Sequence, residues 1–158
     1  MPRGSRVRRT RLGLVGSSGG HLTHLLALRE LWVNEDRFWV TFRTPDAEER
    51  LEGERVYWCH HPTNRNLPNL IRNLVLAEQI IRKERPTTIL STGAAVAVPF
   101  AYLGRIHSIP FMFIEVVDRV ASATLTGRLV KPVAAAMLVQ WTEQQALYRG
   151  ARVIGRII

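Results

Sequence analysis

The sequence predicts an α/β fold, a Rossmann-like parallel sheet with helices on both of its faces. Short apolar runs alternate with amphipathic helical patterns along the whole chain, which is the order expected of a parallel sheet. Most of these runs are apolar without alternation, as in strands that are buried on both faces. A Ser/Gly turn follows the first run, and such turns connect a strand to a helix next to a ligand.

The first half of the chain is predicted to contain four strands and three helices. A long helix is indicated by Leu67, Leu70, Ile71 and Leu74, which recur at helical spacing, and Pro86 stops it. In chain order the expected elements are a strand at 12–16, a helix at 22–32, a strand at 38–42, a short helix at 47–53, a strand at 55–59, a helix at 66–84 and a strand at 88–91.

The second half continues the alternation with shorter elements. The order predicted here is a helix at 94–106, a strand at 110–115, a helix at 124–135, a strand at 137–141, a short helix at 142–148 and a strand at 153–154. Polar groups stand where the buried strands end, at Ser17 to His21, at Ser91-Thr92-Gly93, at Glu115 and at Gln140. Because parallel strands end at one edge of the sheet, these groups should meet there and form a ligand site.

The Ser/Gly turn is the strongest candidate for anion or sugar-phosphate binding. Its spacing from Gly16, G-x-x-G-G-H, is not the dinucleotide fingerprint, and no acidic residue ends the second strand at Phe42-Arg43, so a nicotinamide cofactor is disfavoured. Ser17 and Ser18 can cap the following helix or donate to phosphate oxygens, and Gly19 and Gly20 let the backbone approach a ligand. The alternative is a tight connection without a ligand.

Two titratable residues are the candidates for catalysis. His21 can act on a ligand above the turn, or it can be a hydrogen-bonding residue at a helix start. Glu115 is the last residue of an apolar strand, where a buried carboxylate requires a partner. His21 and Arg119 are the candidate partners, and with Arg119 the ion pair would be purely structural. The Asp118-Arg119 pair opens a loop with Ser122, Thr124 and Thr126, which can bind a hydroxyl-rich ligand or cap the next helix.

Composition limits the function classes. The 158 residues carry a net charge of +9 and a single Cys, so we expect one domain, an anionic partner and no disulfide framework. Residues 1–10 form a basic leader ahead of a folded domain at 11–158, and this leader either has no function or contacts an acidic membrane.

Residues 86–104 lack charge but contain Thr, Ser and Pro, so a membrane span is rejected. The adjacent His60-His61 is expected to be a solvated loop, because nothing completes a metal site. Nucleic acid is disfavoured because the arginines cluster in the leader.

Five motifs in order resemble a known family. They are Val15 to Leu22 (VGSSGGHL), Ser91 to Ala95 (STGAA), Phe113 to Val120 (FIEVVDRV), Thr124 to Leu129 (TLTGRL) and Val139 to Trp141 (VQW). From residue 12 to the C-terminus the chain resembles the PssD/EpsE-like subunits of bacterial exopolysaccharide glycosyltransferases. These are related to the membrane-anchoring, Alg14-like subunit of the eukaryotic dolichol-linked N-acetylglucosamine transferase.

The resemblance implies a function for the predicted site. The chain would be the N-terminal, acceptor-side half of a GT-B glycosyltransferase, and a separate PssE-like subunit would bind the UDP-sugar donor. Sugar would be transferred to a lipid-diphosphate-linked acceptor at the cytoplasmic face of the inner membrane, with peripheral membrane contact through the leader and the helix at 94–106. No metal or further cofactor is implied.

The resemblance also implies roles for individual residues. Glu115 is slightly favoured over His21 as the base, and His21 would then stabilise the diphosphate. Ser17, Ser18, Gly19, Gly20, Ser91, Thr92, Gly93, Asp118 and Arg119 would bind substrate. Two alternatives stay open, namely a non-catalytic subunit that recruits a catalytic partner to the membrane, and a stand-alone nucleotide-binding enzyme.

Overall fold

A computed structural model describes residues 9–158 and shows a seven-stranded sheet within them. All its strands run parallel, in the order β3-β2-β1-β4-β5-β6-β7. The strands are β1 (Arg11–Gly16), β2 (Asp36–Phe42), β3 (Val56–Cys59), β4 (Thr88–Gly93), β5 (Phe111–Ile114), β6 (Ala136–Val139) and β7 (Arg152–Val153). The predicted α/β fold class is thus confirmed, while most of the predicted leader lies outside the described residues.

Helices cover both faces of the sheet. They are α1 (Gly20–Ala27), α2 (Arg29–Trp32), α3 (Pro45–Arg50), α4 (Leu67–Glu84), α5 (Ala97–Ile106) and α6 (Leu125–Val130), followed by a 3-10 helix at Glu143–Leu147. No helix within residues 9–158 is both long and apolar enough to cross a membrane.

Two hydrophobic cores lie on opposite faces of the sheet. One core packs β1 and β2 side chains such as Leu14 and Trp39 against Leu22, Leu25 and Trp32 of α1 and α2. Here the rings of Trp32 and Trp39 meet edge to face, with centroids 5.2 Å apart. The other core packs the opposite side chains of the strands against α4, α5 and α6. The strands are therefore buried on both faces, as their unbroken apolar runs predict.

The predicted helix at 22–32 is in fact two helices. Leu28 adopts φ −83° and ψ 28°, which ends α1 at Ala27. The carbonyl oxygen of Leu25 accepts the indole N–H of Trp32 at 2.9 Å and the backbone N–H of Leu28 at 3.2 Å. A regular helix would use this carbonyl for residue 29, so the buried indole helps to explain the break.

The predicted helix at 124–135 is also too long. Helix α6 ends at Val130, and the Val130 carbonyl then accepts the N–H groups of Val133 and Ala134 in a turn. Pro132 lies inside this turn, and it cannot donate the hydrogen bond that a longer helix would need.

The register of the sheet aligns the ends of its central strands. Val15 of β1 lies opposite Ser91 of β4, which in turn lies opposite Phe113 of β5. The residues that follow these three positions therefore emerge side by side. The polar groups that come after β1, β4 and β5 meet at one edge, as expected of this sheet.

Candidate functional site

A pocket of about 110 Å³ lies at this carboxyl edge of the sheet. Four of the predicted site residues line it, namely His21, Thr92, Gly93 and Glu115. The other lining residues are Ala94, Phe113, Val116, Thr124 and Thr126. Three separate connections, those after β1, β4 and β5, thus contribute to one cavity.

The backbone of the β4 turn orients the imidazole of His21. Its Nδ1 lies 2.6 Å from the carbonyl oxygen of Thr92, and the Thr92 hydroxyl donates to the carbonyl of His21 at 2.7 Å. A carbonyl oxygen only accepts hydrogen bonds, so Nδ1 carries the proton. In the neutral ring, Nε2 then has a free lone pair and can accept a proton from a ligand.

The surroundings of His21 favour the neutral ring. Burial lowers the pKa of His21 below its ordinary value of 6.5, and this effect outweighs the opposing hydrogen bond to Thr92. The neighbouring His24 lowers the pKa further, whereas the charges of Glu115 and Asp118 act to raise it. At neutral pH the imidazole is therefore in its basic form.

The Ser/Gly turn presents open backbone at the start of α1. The helix begins at Gly20, after Gly19 with φ 74°, and no side chain caps it. Of the two alternatives for Ser17 and Ser18, capping of this helix is therefore not realised. Instead, Ser17 is buried and its N–H donates to the Gly93 carbonyl at 2.9 Å, which ties the turn to β4. The first-turn N–H groups of α1 thus have no side-chain acceptor.

Gly93 lets the β4 turn pass directly under His21. It adopts φ 102°, and a Cβ at this position would lie 3.0 Å from Cε1 of the imidazole. Its N–H donates to the hydroxyl oxygen of Ser91 at 3.1 Å, and Ser91 is fully buried. In this structure Ser91 supports the turn and is not among the residues that line the pocket.

Glu115 is fully buried, and its carboxylate accepts hydrogen bonds from three residues. The N–H of Val116 lies 3.0 Å away, and Thr124 donates its N–H at 3.1 Å and its hydroxyl at 3.0 Å. The third donor is the hydroxyl of Tyr148. The alternative that Arg119 forms an ion pair with Glu115 is not realised, because none of the salt bridges in the described part of the chain joins them.

The loop after β5 carries Asp118 and Arg119 on the surface. Gln144 holds the loop by donating to the carbonyls of Val116, at 2.8 Å, and Arg119, at 3.2 Å. Trp141 donates its indole N–H to Val117 at 2.8 Å. Asp118 is close enough to affect the pKa of His21, whereas the side chain of Arg119 is exposed and away from the pocket lining.

Sequence reasoning missed the residues that support the site from the last third of the chain. Tyr148 reaches Glu115 across 33 positions, and Gln144 braces the β5 loop. No local pattern marks either residue, because both act through distant backbone and carboxylate groups. Thr124 is the exception, since its position before an apolar run suggests a cap, and its side chain accepts the N–H of Gly127 at 3.0 Å.

Solved structures with this fold are about twice as long as the chain. It superposes on MurG from Acinetobacter baumannii, a GT-B protein, with a TM-score of 0.73 at 16% identity, covering 92% of the chain and 45% of MurG. The UDP-GlcNAc 2-epimerase of Methanocaldococcus jannaschii, in complex with UDP-GlcNAc and UDP, gives 0.69 at 13% identity, covering 87% and 42%. The chain thus spans less than half of these proteins, and its fold is that of one half of a GT-B protein.

Sequence comparison relates the chain to a narrower group of proteins than its fold does. The UDP-N-acetylglucosamine transferase subunit ALG14 of Candida albicans is 23% identical over 175 aligned positions, which cover 96% of the chain and 80% of that protein. The family model "Oligosaccharide biosynthesis protein Alg14 like" matches residues 55–157, which is more than half of the chain. The chain therefore belongs to the family of Alg14-like oligosaccharide biosynthesis proteins.

Proposed function

We propose that this chain is the acceptor-binding subunit of a two-chain glycosyltransferase. The enzyme transfers a sugar from a UDP-sugar to a lipid-diphosphate-linked acceptor in polysaccharide biosynthesis. The observation that carries the proposal is the orientation of His21, whose Nδ1 proton is held by Thr92 so that Nε2 is available in a pocket at the ligand edge of the sheet. Family membership supports it, because the Candida relative is a subunit of a UDP-N-acetylglucosamine transferase.

In the proposed reaction His21 is the general base. The acceptor hydroxyl gives its proton to Nε2 of His21, and its oxygen forms a bond to the anomeric carbon of the donor sugar. The bond from that carbon to the UDP oxygen breaks, and UDP leaves with the bonding electrons. The hydroxyl must lie within about 3 Å of the base for this transfer. Thr92 acts as the group that orients the base, in the same sense as the third member of a catalytic triad.

Glu115 fits a positioning role better than the role of base that the sequence slightly favours. A base needs a free lone pair facing the substrate, and the carboxylate oxygens of Glu115 already accept hydrogen bonds from Val116, Thr124 and Tyr148. Glu115 also lies near His21 and favours its protonated form. We therefore assign Glu115 to stabilising the imidazolium that forms during the reaction and to holding the β5 loop.

The acceptor diphosphate or sugar is assigned to the open turn before α1. The N–H groups of Ser18 to His21 lie at the N-terminal, positive end of α1, which favours an anion. Gly19 and Gly20 leave this surface uncrowded, since a Cβ at either position would meet no heavy atom within 4 Å. Ser17, Ser91, Thr92 and Gly93 support the turn, and Asp118 and Arg119 stay candidates for contacts with the sugar.

The donor is assigned to a separate PssE-like subunit. Two observations support a separate donor-binding subunit: the chain corresponds to only 45% of MurG, and its Candida relative is named a subunit of a transferase. That subunit would bind the UDP-sugar and stabilise the leaving diphosphate, and the pair would work at the cytoplasmic face of the inner membrane in exopolysaccharide synthesis. Neither a metal nor a cofactor besides the UDP-sugar is part of the proposal.

Peripheral membrane contact is assigned mainly to α4. The predicted contact on α5 is small, because most of that helix is buried and only Tyr102 and Ile106 of its large apolar side chains are exposed. Helix α4 instead exposes five large apolar side chains, together with Arg72 and no acidic residue before Glu78. These five are Leu67, Leu70, Ile71, Leu74 and Val75. An apolar face with basic neighbours favours an anionic lipid surface.

The test is release of UDP from a UDP-sugar in the presence of membrane-extracted lipid-linked acceptor. We expect no turnover from this chain alone or from the PssE-like subunit alone, turnover from the mixture, and loss of that turnover with His21→Ala. Full activity of this chain alone would overturn the half-enzyme proposal. Full activity of the mixture with His21→Ala would instead make this chain a non-catalytic recruiting subunit.

A further inference from the structure

An apolar groove of about 370 Å³ lies between α4, α5 and α6, outside the pocket of His21. Its apolar lining residues are Leu67, Leu70, Ala95, Val98 and Leu129. None of these residues has a role in the transfer chemistry. Its volume lies within the range of about 300–1,000 Å³ that is typical of small-molecule pockets.

The groove adjoins the pocket of His21 through the turn after β4. Ala94 lines the pocket and Ala95, the next residue, lines the groove. This turn is fixed by the hydrogen bonds of Thr92 with His21 and of Gly93 with Ser17. A molecule whose head group lies next to His21 can therefore extend across the turn and place an apolar tail between the helices.

The groove also has polar lining residues, and the charged one among them is positive. Arg65 is the one charged residue in its lining, beside Thr63 and Asn66. No salt bridge within residues 9–158 involves Arg65. Arg72 follows on α4, where it donates to Asn69 at 3.3 Å. An apolar cleft with a cationic residue in its lining complements a hydrocarbon chain that is attached to a phosphate.

We propose that this groove binds the first prenyl units of the lipid-linked acceptor, next to its diphosphate. The proposal rests on the proposed function, since it names a second subsite for the same substrate. The proposal moves Leu67 and Leu70 from the membrane contact of α4 to the substrate. Ile71, Leu74 and Val75, which are exposed on the same helix but absent from the lining, are left to the membrane.

The test compares the binding of farnesyl diphosphate and inorganic diphosphate to the full chain by isothermal titration calorimetry. Leu70→Gln makes one apolar lining residue of the groove polar. Ile71→Gln is the matched control, because Ile71 is the next residue on α4 and is exposed but does not line the groove. Burial of a Leu side chain on a ligand corresponds to roughly a 10-fold or greater change in affinity. Leu70 is 42% exposed, so both variants should keep the thermal midpoint of the native chain.

We expect farnesyl diphosphate to bind at least 10-fold more tightly than inorganic diphosphate. Leu70→Gln should weaken farnesyl diphosphate about 10-fold and leave inorganic diphosphate unchanged, while Ile71→Gln changes neither by more than about twofold. Equal losses from the two variants, or equal affinities of the two probes, would overturn the proposal. His21→Ala turnover tests the proposed function separately, because the groove can bind farnesyl diphosphate whether or not His21 is the base.

Discussion

Tyr148→Phe is expected to destabilise the fold strongly although it removes a single oxygen. The hydroxyl of Tyr148 donates to the buried carboxylate of Glu115, and Tyr148 is itself only 1% exposed. Burial and the adjacent carboxylate both raise the pKa of Tyr148, so the hydroxyl stays protonated and remains a donor. Phe keeps the packing of the ring, so the change isolates the hydrogen bond.

The magnitude follows from the charge of the acceptor. A hydrogen bond to a charged group contributes about 1.5–3 kcal/mol, more than a neutral one. For a chain of this size, 1 kcal/mol corresponds to roughly 2–4 °C in the thermal midpoint, so Tyr148→Phe should lower it by roughly 3–12 °C. Thermal unfolding followed by far-UV circular dichroism measures this shift.

Tyr102→Phe provides the matched control for this prediction. The hydroxyl of Tyr102 donates to the carbonyl of Leu129 at 2.9 Å, but its side chain is 40% exposed and water can replace the bond. We expect a loss of about 0.5 kcal/mol at most. If the two variants shift the midpoint equally, Glu115 is not stabilised by Tyr148, and the positioning role assigned to the carboxylate is wrong.

Three further predictions concern packing, the open turn and the thiol. Gly127→Ala should lower the thermal midpoint, because the added Cβ would overlap the hydroxyl oxygen of Tyr148, and an unchanged midpoint would contradict this packing. Gly20→Ala should leave the thermal midpoint nearly unchanged, since a Cβ there meets nothing within 4 Å. The same change should weaken the binding of inorganic diphosphate, measured by calorimetry, because the Cβ would crowd the open turn before α1. Unchanged binding would mean that the anion binds elsewhere. Burial raises the pKa of the Cys59 thiol to about 12, so an aromatic disulfide reagent should label Cys59 in the unfolded chain only, and rapid labelling of the native chain would refute this.

The sequence predicts the sheet and its ligand edge because buried strands appear in it as local runs of apolar residues. Apolar runs such as Phe38 to Phe42 are interrupted by few polar residues, and Pro86 marks the place where the longest helix stops. The strand boundaries therefore fall within two residues of their predicted positions. Since the carboxyl ends of parallel strands lie at one edge of the sheet, the sequence also predicts that His21, Thr92, Gly93 and Glu115 lie together.

The contacts that decide the chemistry of the site correspond to no such local pattern. The proton position on His21 depends on a backbone carbonyl 71 residues away, and every residue type has a carbonyl. One partner of Glu115 is Tyr148, 33 residues later, whereas the sequence suggests only His21 and Arg119. The groove beside Ala95 arises from the packing of α4, α5 and α6, and helical periodicity does not show which apolar side chains remain exposed.

The most direct test of the central claim, that His21 is the base of the transferase, is the pH dependence of kcat/KM in the assembled enzyme. This parameter reports the pKa of the free enzyme's base. A base is active when neutral, and burial lowers the pKa of His21 below 6.5, so activity should be full at pH 7 and should fall with an acidic limb below pH 6.5. We expect His21→Ala to lower kcat/KM by roughly 10²–10⁴-fold and to abolish this limb. An unchanged acidic limb in His21→Ala would contradict the account, because another group would then be the base.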